Sequence, residues 1–291
     1  MSTDAATSAL APRSLPEAIA ALAADPDLRP VAGCTDLMVA DPLERAGLAR
    51  VVDLLRIPEI RGVRPRGGGL EIGATTTMSE LAAQPEVRAR FPALARAAAE
   101  VGGWQIQNRA TLGGNVVNAS PAGDTLPVLL ALEAAVVAVG AGGEREIPYA
   151  EFNLGYRRTA LAPGEILAWV RLPPPAPGTA QLFRKVGTRA AQTISKLVVA
   201  LAGRVEGGRI AGLRLAAGSV APTPVRLRAA EEAGEGAAPA LETAERVARA
   251  AAGEVRPIDD VRSTAEYRAW ALERVVRRMM LTMLAMLEPG R

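Results

Sequence analysis

Two short glycine-containing stretches carry the residue types most able to do chemistry in this sequence. Residues 109–124, RATLGGNVVNASPAGD, combine a glycine pair with asparagine, hydroxyl and carboxylate side chains, directly before the apolar run LPVLLAL. Residues 31–37, VAGCTDL, share the same design of an apolar strand end followed by small and hydroxyl residues. So many turn-forming residues beside core sequence indicate either an elaborate connection or a backbone shaped around a ligand.

The chemistry that suits these stretches is the binding of a phosphate or pyrophosphate. Glycine allows a positive φ and lets a ligand approach without a Cβ in the way. Successive N–H groups in such a turn form a concave anion site, to which Thr35, Thr111 and Asn115 can add side-chain donors. Each stretch taken alone is better explained as an ordinary turn, and neither matches the dinucleotide or P-loop fingerprint. Both together, with Ser120 and Asp124, favour a buried cofactor edge.

The absence of histidine and the single cysteine exclude several classes of chemistry. Histidine is the commonest general base and metal ligand, and the sequence has none. Cys34 alone can form neither an internal disulfide nor a cysteine-ligated zinc or iron–sulfur centre. We therefore expect no metal site, and any demanding chemistry must come from other side chains or a bound organic cofactor. A net charge of +3 and 3% aromatic residues also argue against nucleic-acid binding.

No segment predicts secretion or a membrane span. The N-terminal sequence has no basic region followed by an apolar one. The most apolar segment, residues 126–140, is interrupted by Pro127 and Glu133 and is too short to cross a bilayer. We expect a soluble, cytoplasmic protein in which this segment forms a core helix and a buried strand.

The helices and strands predicted around these stretches indicate an α+β protein of two domains. A helix should begin after Ser14 as N-cap, with Leu15, Ile19 and Leu22 on one face. The Pro-rich junction at residues 173–179 predicts a boundary that gives domains 1–176 and 177–291. Further helices are predicted in TTTMSELAAQP, FPALARAAAEVG and the final TAEYRAWALERVVRRMMLTMLAML, whose Met-rich stripe indicates core or subunit interface. Strands are predicted in RPVAG, RVVDLLRI, AAVVAVG, GEILAWVRL, QLFRKVG, LVVALAGRV and RIAGLRLAAGSVA. A hairpin is predicted in GVRPRGGGLEIG, with its turn at glycines 67–69, and a second glycine turn is predicted at residues 207–208, between the last two strands.

Five segments together resemble one family. They are VAGCTDLMV, LEIGATTTMSEL, IQNRATLGGNVVNASPAGDTLPVLLALEA, GYRRTALAPGEIL and GSVAPTPVRL, in the order and at about the spacing that the family shows. The sequence resembles the FAD-binding (medium) subunit of the molybdenum hydroxylases, of the xanthine dehydrogenase and carbon monoxide dehydrogenase type. The resemblance runs from about Leu15 to the final helix. It implies a two-part FAD-binding domain of the vanillyl-alcohol-oxidase type, divided near residue 56, followed by a smaller α+β domain.

The resemblance also implies a set of FAD contacts. The loops matching residues 31–37 and 111–115 would bind the pyrophosphate through backbone N–H groups, and Ile166 or Leu167 would pack near the flavin. A lysine in the F-x-K segment, here Lys185, would lie near the flavin ring and favour its anionic reduced form; without the resemblance, Lys185 would be interpreted as an exposed strand lysine. The full implied set is Val31, Ala32, Gly33, Cys34, Thr35, Asp36, Leu37, Thr111, Gly113, Gly114, Asn115, Asp124, Ile166, Leu167 and Lys185.

Two departures from the family pattern and two further candidates accompany this set. Cys34 stands where the family commonly has glycine, which affects the path of the first loop; we do not interpret it as catalytic, since no histidine could activate it. Gln192 and Thr193 stand where many members have an aspartate, which affects hydrogen bonding to the flavin ring. Arg109 and Gln105 are candidates for lining the entry to the site, or equally for an ordinary solvated helix end.

The function implied is that of an electron-transfer subunit in an oxidoreductase. A molybdenum subunit would hydroxylate the substrate, and a subunit with two [2Fe–2S] clusters would carry single electrons. The FAD of this chain would collect them for NAD+, a quinone or oxygen, and the assembly would be a dimer of heterotrimers. Two alternatives are a flavin-poor relative that serves as a structural or assembly partner, and an independent FAD oxidase, against which the lack of acid–base residues argues.

Overall fold

The computed structural model describes residues 8–39 and 50–287. The helices are α1 (Leu15–Ala24), α2 (Met78–Ala83), α3 (Pro85–Arg90), α4 (Pro92–Ala99), α5 (Trp104–Gln107), α6 (Leu112–Asn118), α7 (Leu126–Ala131), α8 (Tyr149–Phe152), α9 (Arg228–Gly234), α10 (Leu241–Glu254) and α11 (Ala265–Leu287). The strands are β1 (Ser8–Leu10), β2 (Arg29–Val31), β3 (Arg50–Asp53), β4 (Val63–Arg66), β5 (Gly69–Gly73), β6 (Ala135–Gly140), β7 (Gly143–Pro148), β8 (Asn153–Gly155), β9 (Arg158–Thr159), β10 (Ile166–Leu172), β11 (Ala180–Val186), β12 (Leu197–Glu206), β13 (Arg209–Gly218) and β14 (Val225–Arg226). Short 3-10 turns cover Leu37–Val39 and Pro58–Ile60.

The first sheet has three parallel strands in the order β1–β3–β2. Parallel strands need crossover connections, and α1 provides the one between β1 and β2, the two strands that flank β3. The helix begins after Ser14, whose hydroxyl accepts the N–H of Glu17 at 3.4 Å. Leu15 and Leu22 are buried against Val52 of β3 in one apolar cluster. The N-cap and the inner face predicted from the sequence are confirmed, although Ile19 is only partly buried.

The second sheet has five antiparallel strands in the order β4–β5–β10–β6–β7. Successive side chains on a strand point to opposite faces. On β6, Val136 and Ala138 pack into the core beneath the helices, and Val137 and Val139 pack into the cluster that contains α1. This sheet is therefore buried on both faces and joins the first sheet to the helical layer.

Helices α2, α3, α4, α6 and α7 contribute to the apolar core on one face of the second sheet. Helix α2 has a capping box: the Thr77 hydroxyl accepts the N–H of Glu80 at 3.2 Å, and the Glu80 carboxylate accepts the N–H of Thr77 at 2.9 Å. The predicted stop before Pro85 is confirmed. The chain then enters α3 at once, a helix that the sequence did not predict, because proline is well tolerated in the first turn.

The third sheet has four antiparallel strands in the order β11–β12–β13–β14, and α9, α10 and α11 pack against it. Met280 and Met283 of α11 are fully buried there with Leu215 of β13, so this part of the Met-rich stripe is core. On the other face, Ala200 and Ala216 belong to the core beneath the second sheet's helices. The third sheet therefore shares apolar packing with the part of the chain before it.

The α+β class and the predicted hairpins are confirmed. Gly67 and Gly68 have φ values of +55° and +78° in the β4–β5 turn, and Gly207 and Gly208 have +57° and +73° in the β12–β13 turn. The segment RVVDLLRI is a strand only over Arg50–Asp53. The division near residue 56 and the boundary at 176/177 remain predictions; the second sheet ends at Leu172 and the third begins at Ala180.

Glu71 provides a test of the second sheet's electrostatics. This buried carboxylate accepts hydrogen bonds from Arg64 and Arg171, each at 2.7 Å. Burial acts to raise the pKa of Glu71, but the bonds from Arg171 and Arg64 outweigh it and leave the pKa lowered. The stabilisation from Glu71 is therefore fully present above the unfolded carboxyl pKa of about 4.3 and is lost as the pH falls through the lower folded value.

We expect Glu71→Gln to lower the free energy of unfolding by about 2 kcal/mol at pH 7, since it weakens charge-assisted hydrogen bonds in a buried place. The deficit should shrink in urea denaturation below about pH 4. Glu146→Gln is the matched control, because Glu146 bonds the same Arg171 from an exposed position, and it should cost less than about 1 kcal/mol. Equal losses at the two positions would contradict the special role of the buried carboxylate.

Candidate cofactor site

A cavity of about 490 Å³, here called the cofactor cavity, lies where the first sheet meets the second. Its volume falls within the roughly 300–1,000 Å³ typical of small-molecule sites. Three segments supply most of its wall: the loop after β2, helix α6 and the chain that leads into β10. The predicted residues that line it are Val31, Ala32, Cys34, Thr35, Asp36, Leu37, Gly113, Gly114, Ile166 and Leu167.

The loop at residues 31–37 presents free backbone donors. Strand β2 ends at Val31, and Cys34 adopts a left-handed φ of +58°. Within the described parts of the chain, the N–H groups of residues 32–36 have no protein acceptor. A run of N–H groups through a left-handed residue forms a concave anion site. The first predicted loop therefore has the donors that a pyrophosphate requires.

Gly33 holds this loop against the rest of the protein. A Cβ at Gly33 would overlap the carbonyl oxygen of Arg109 and lie 3.0 Å from the Cα of Ala110. Only glycine permits this approach of two backbones. The Arg109 and Gln105 side chains are exposed and do not line the cavity. Arg109 therefore meets the loop through its backbone, whereas the sequence suggested a role for its side chain.

The second predicted loop, residues 111–115, is the start of a helix. Thr111 is the N-cap of α6, and its hydroxyl accepts the N–H of Gly114 at 3.1 Å. The N–H of Leu112 donates to Thr76 O at 3.0 Å, and that of Gly113 donates to Ala74 O at 2.8 Å. These donors bond within the protein, and the contact of this stretch with the pyrophosphate stays a prediction.

The glycines of α6 serve close packing and an open wall instead. A Cβ at Gly113 would lie 2.5 Å from the Cβ of Ala74, so glycine lets the helix start lie directly on the end of β5. Gly114 is exposed and lines the cavity without a side chain. Asn115 does not line the cavity; its Oδ1 accepts the hydroxyl of Thr125 at 2.6 Å. The stretch therefore shapes the cavity through the absence of side chains at its two glycines.

Asp124 and Lys185 lie outside the cofactor cavity and bond to each other. The Lys185 Nζ donates to Asp124 Oδ2 at 2.7 Å and to Glu100 O at 2.8 Å. Ser195 donates to the other carboxylate oxygen at 2.5 Å. The Lys185 side chain is only 5% exposed, so the alternative of an exposed strand lysine is wrong. This buried group ties β11 to the segments that follow α4 and α6.

The departure at Gln192 and Thr193 lies beside this group. Gln192 adopts a positive φ of +50° and donates its N–H to Gly102 O at 3.3 Å. The Thr193 hydroxyl accepts the N–H of Thr188 at 3.2 Å. Neither residue lines the cofactor cavity. The loop between β11 and β12 is therefore closed by its own bonds and by a contact with Gly102.

Cys34 has the environment of an unreactive thiol. Burial, and then the charge of Asp53, raise the pKa of this thiol, while Arg109 acts in the opposite direction. The thiolate is the nucleophilic form, so a raised pKa lowers reactivity at neutral pH. The sulfur donates to Ala32 O at 3.2 Å. The role of Cys34 is therefore to set the conformation of the loop.

Several cavity residues were missed by sequence reasoning, although the signal was present. Ala74 and Thr75 follow β5, and Thr159 and Leu161 precede β10. All four lie in LEIGATTTMSEL and GYRRTALAPGEIL, two of the segments that carry the family resemblance. Val117 and Asn118, on the turn of α6 after the glycine pair, also line the cavity. The family resemblance therefore covered these residues, although their residue types alone did not indicate a site.

The described residues form neither a metal-binding cluster nor a membrane-spanning helix. No group of three or more cysteine, aspartate or glutamate side chains there is placed to hold a metal ion. Over residues 8–39 and 50–287, no helix is long and apolar enough to cross a membrane.

Comparison with known proteins identifies the family of this chain. Residues 5–175 match the FAD binding domain in molybdopterin dehydrogenase, and residues 182–283 match the CO dehydrogenase flavoprotein C-terminal domain. The carbon monoxide dehydrogenase medium chain of Hydrogenophaga pseudoflava is 32% identical over 269 residues, which cover 92% of this chain and 93% of that relative. The chain belongs to the family of FAD-binding subunits of the molybdenum hydroxylases.

Other members of the family support the same identification of this FAD-binding subunit. A putative xanthine dehydrogenase FAD-binding subunit of Escherichia coli (strain K12) is 31% identical, over 91% of this chain and 92% of the relative. The solved carbon monoxide dehydrogenase from Hydrogenophaga pseudoflava that lacks the Mo-pyranopterin moiety superposes with a TM-score of 0.91 at 33% identity. That match covers 96% of this chain and 98% of the other. The predicted two-part FAD-binding domain followed by a C-terminal domain is confirmed.

FAD fits the chain's own geometry. The free N–H groups of residues 32–36 suit its pyrophosphate, and the bare surface at Gly114 admits a ligand close to the backbone. Ile166 and Leu167 supply an apolar wall on the other side. The cavity therefore combines an anion site with an apolar surface, as a dinucleotide cofactor requires.

The buried ion pair can be tested by removing one partner. Lys185→Met should lower the free energy of unfolding by about 3–5 kcal/mol, because it leaves the Asp124 carboxylate buried without its cation. Arg184→Met is the matched control, since Arg184 is the exposed neighbour on β11. Urea denaturation measures both variants. The double variant Lys185→Met/Asp124→Asn should recover part of the lost free energy of unfolding. If Lys185→Met loses no more free energy of unfolding than Arg184→Met, the role of the pair is refuted.

The left-handed residue in the cofactor loop makes a second prediction. Cys34→Gly should raise the free energy of unfolding by about 1 kcal/mol, because glycine lacks the Cβ strain of a left-handed conformation but has more freedom when unfolded. Cys34→Ala keeps the Cβ and should bring no such gain. Chemical denaturation of the two variants separates loop strain from removal of the thiol; similar values for both would argue against strain at this position.

Proposed function

We propose that this FAD-binding subunit takes electrons from the [2Fe–2S] clusters of a partner subunit and passes them to NAD+, a quinone or oxygen. The observation that carries the proposal is the run of free N–H groups at residues 32–36, which faces the cofactor cavity in a chain of this family. FAD, when bound, can take up electrons one at a time and release two. The protein's contribution is to bind and orient that group.

Each segment of the cavity has a separate part in holding FAD. The N–H groups of residues 32–36 bind the pyrophosphate, and the hydroxyl of Thr35 adds a donor. Gly113 and Gly114 keep the facing wall free of side chains, so the cofactor approaches the helix backbone. Ile166 and Leu167 exclude water from the apolar side. Thr111 acts by starting α6, which sets the position of the glycines.

Direct contacts of FAD with Asn115, Asp124 and Lys185 stay predictions. In the structure the Asn115 side chain bonds to Thr125, and Asp124 and Lys185 bond to each other. Asp124 also bonds to Ser195, and Lys185 also bonds to the backbone oxygen of Glu100. These bonds support a positioning role: they hold the segment after α6 against β11. That segment adjoins the cofactor cavity, since Asn118 lines it.

The chain's composition supports a division of labour with partner subunits. It has no histidine and one cysteine, so it can supply neither an iron–sulfur cluster nor a histidine base for hydroxylation. We propose a molybdenum-cofactor subunit and a [2Fe–2S] subunit as partners, in a dimer of heterotrimers in the cytoplasm. The relatives act, by their names, on carbon monoxide or xanthine. The substrate of this complex depends on its molybdenum subunit.

The first test is a visible absorption spectrum of the purified chain before and after addition of FAD. The native chain should retain FAD, and Gly33→Ala should lose it, because the new Cβ would displace the loop from the Arg109 backbone. Gly142→Ala is the matched control: a Cβ there meets nothing within 4 Å. Circular dichroism confirms that both variants fold.

Each outcome separates the competing functions. A native chain that never takes up FAD would favour the flavin-poor assembly partner, and a Gly33→Ala variant that keeps FAD would remove the loop from the site. The FAD-loaded chain should consume two reducing equivalents of dithionite. Re-oxidation by NAD+, a quinone or oxygen should then recover the spectrum; failure with all three would overturn the acceptor step.

A further inference from the structure

The segment that leads into β10 forms one wall of the cofactor cavity but lies outside any helix or strand. Residues 160–165, here called the wall segment, connect β9 to β10. Leu161 and Glu165 from this segment line the cavity, as do Thr159 before it and Ile166 after it. The wall segment has no ladder of sheet hydrogen bonds, so its position depends on the contacts that individual residues make.

The far side of the wall segment faces a second cavity. This outer cavity of about 500 Å³ is lined by Pro26 after α1, by the glycine-containing turn at residues 140–143 and by residues 162–165. Glu165 lines both the outer cavity and the cofactor cavity. The wall segment is therefore a thin partition between two cavities, and packing from behind contributes little to its position.

Arg145 of β7 holds this segment at both ends. Its Nε donates to Glu165 Oε1 and its Nη2 to Glu165 Oε2, each at 2.7 Å. The same Nη2 donates to Ala160 O at 2.6 Å. A bidentate bond of this kind is the strong form of arginine–carboxylate pairing. One guanidinium group therefore fixes the first and the last residue of the wall segment.

Glu165 completes this arrangement from within the segment. Its Oε2 accepts the N–H of Ala162 at 2.6 Å, and its own N–H donates to Ala162 O at 3.1 Å. The bonds from Arg145 hold the pKa of Glu165 below its usual range despite burial, so the carboxylate is ionised at neutral pH. The Glu165 side chain is 14% exposed and that of Arg145 is 45% exposed. The arginine therefore reaches the buried carboxylate from the outer side of the partition.

Two glycines match this position of the segment. A Cβ at Gly140 of β6 would lie 3.1 Å from the Cγ of Glu165 and 3.4 Å from Gly164 O. Gly164 itself has a φ of +77°, a left-handed conformation that glycine adopts without strain. The absence of side chains at these two positions lets Glu165 lie close to β6, within reach of Arg145.

We propose that Arg145 is a positioning residue for FAD, which holds residues 160–165 in the place where they form a wall of the cofactor cavity. Arg145 does not line that cavity, so a change at Arg145 reaches FAD through the wall segment. The inference rests on the proposed function, because it takes FAD as the occupant of the cavity.

The test is a flavin fluorescence titration of the FAD-depleted full chain with FAD. Arg145→Met should weaken FAD binding by about five- to tenfold, the effect of losing a charge-assisted hydrogen bond. Arg145→Lys should weaken it less, because an ammonium group can still donate to Glu165. Arg61→Met is the matched control: Arg61 is 46% exposed and pairs with Glu80, which does not line the cavity. This control should leave the affinity for FAD unchanged.

A double-variant cycle tests whether Arg145 acts through Glu165. Arg145→Met and Glu165→Gln should each weaken FAD binding. The double variant Arg145→Met/Glu165→Gln should weaken it by less than the product of the two single effects, since residues in one hydrogen-bonded network do not act independently. A double variant whose loss equals that product would overturn the proposed action through Glu165.

Urea denaturation of the FAD-depleted variants separates positioning from general stability. Arg145→Met and Arg61→Met should lower the free energy of unfolding by similar small amounts, because the two arginines are almost equally exposed. A much larger loss for Arg145→Met would assign the pair to the stability of the fold and overturn the proposal.

The remaining outcomes distinguish this inference from the proposed function. If Arg145→Met binds FAD as tightly as Arg61→Met, or if Arg145→Lys is no better than Arg145→Met, the inference fails while the proposed function stands. A native chain that binds no FAD would contradict the proposed function and this inference together.

Discussion

The approach of Gly33 to the peptide between residues 109 and 110 is the contact on which the cofactor site depends. It brings the loop after β2 onto the backbone that leads into α6. That backbone is in turn bonded to the start of α2: the N–H of Met78 donates to residue 110 at 2.9 Å, and the N–H of Leu112 donates to Thr76 O at 3.0 Å. Backbone contacts of this kind tolerate little adjustment, since neither side has a flexible end. The position of the free N–H groups is therefore set by the second sheet and its helices.

A second constraint links the helical layer on the second sheet to the third sheet. The Lys185–Asp124 pair is buried together with Ser195 and the carbonyl of Glu100. Burial of two charges carries a desolvation cost that their attraction does not always recover, so such a pair is poor support for a large gain in stability. Its bonds are directional and reach three separate segments. We infer that the group fixes the position of β11 relative to the chain after α6, which borders the cofactor cavity.

The loop at residues 32–36 provides an anion site without adding charge. It uses neutral N–H groups and a left-handed residue. This arrangement suits a resident cofactor held by shape. It requires no acid–base residue, which agrees with a chain that has no histidine.

Much of the fold was predictable because it depends on local signals. The N-cap at Ser14, the stop before Pro85 and the glycine turns of the hairpins follow from residues within one helical turn or one hairpin. The segments that carry the family resemblance also placed the loop at residues 31–37 and the start of β10 at one site. These predictions hold because the tertiary structure keeps the conformations that the local residues favour.

The sequence by itself therefore determined the α+β class, the family and the segments that form the cofactor cavity. Only the tertiary structure decided which donors remain free. The N–H groups of Leu112 and Gly113 are used by carbonyls at residues 76 and 74, whereas those of residues 32–36 are not used. It also decided that Lys185 meets Asp124. The physical reason is that a hydrogen bond or charge pair depends on partners far apart in the chain, whose separation in space is set by packing.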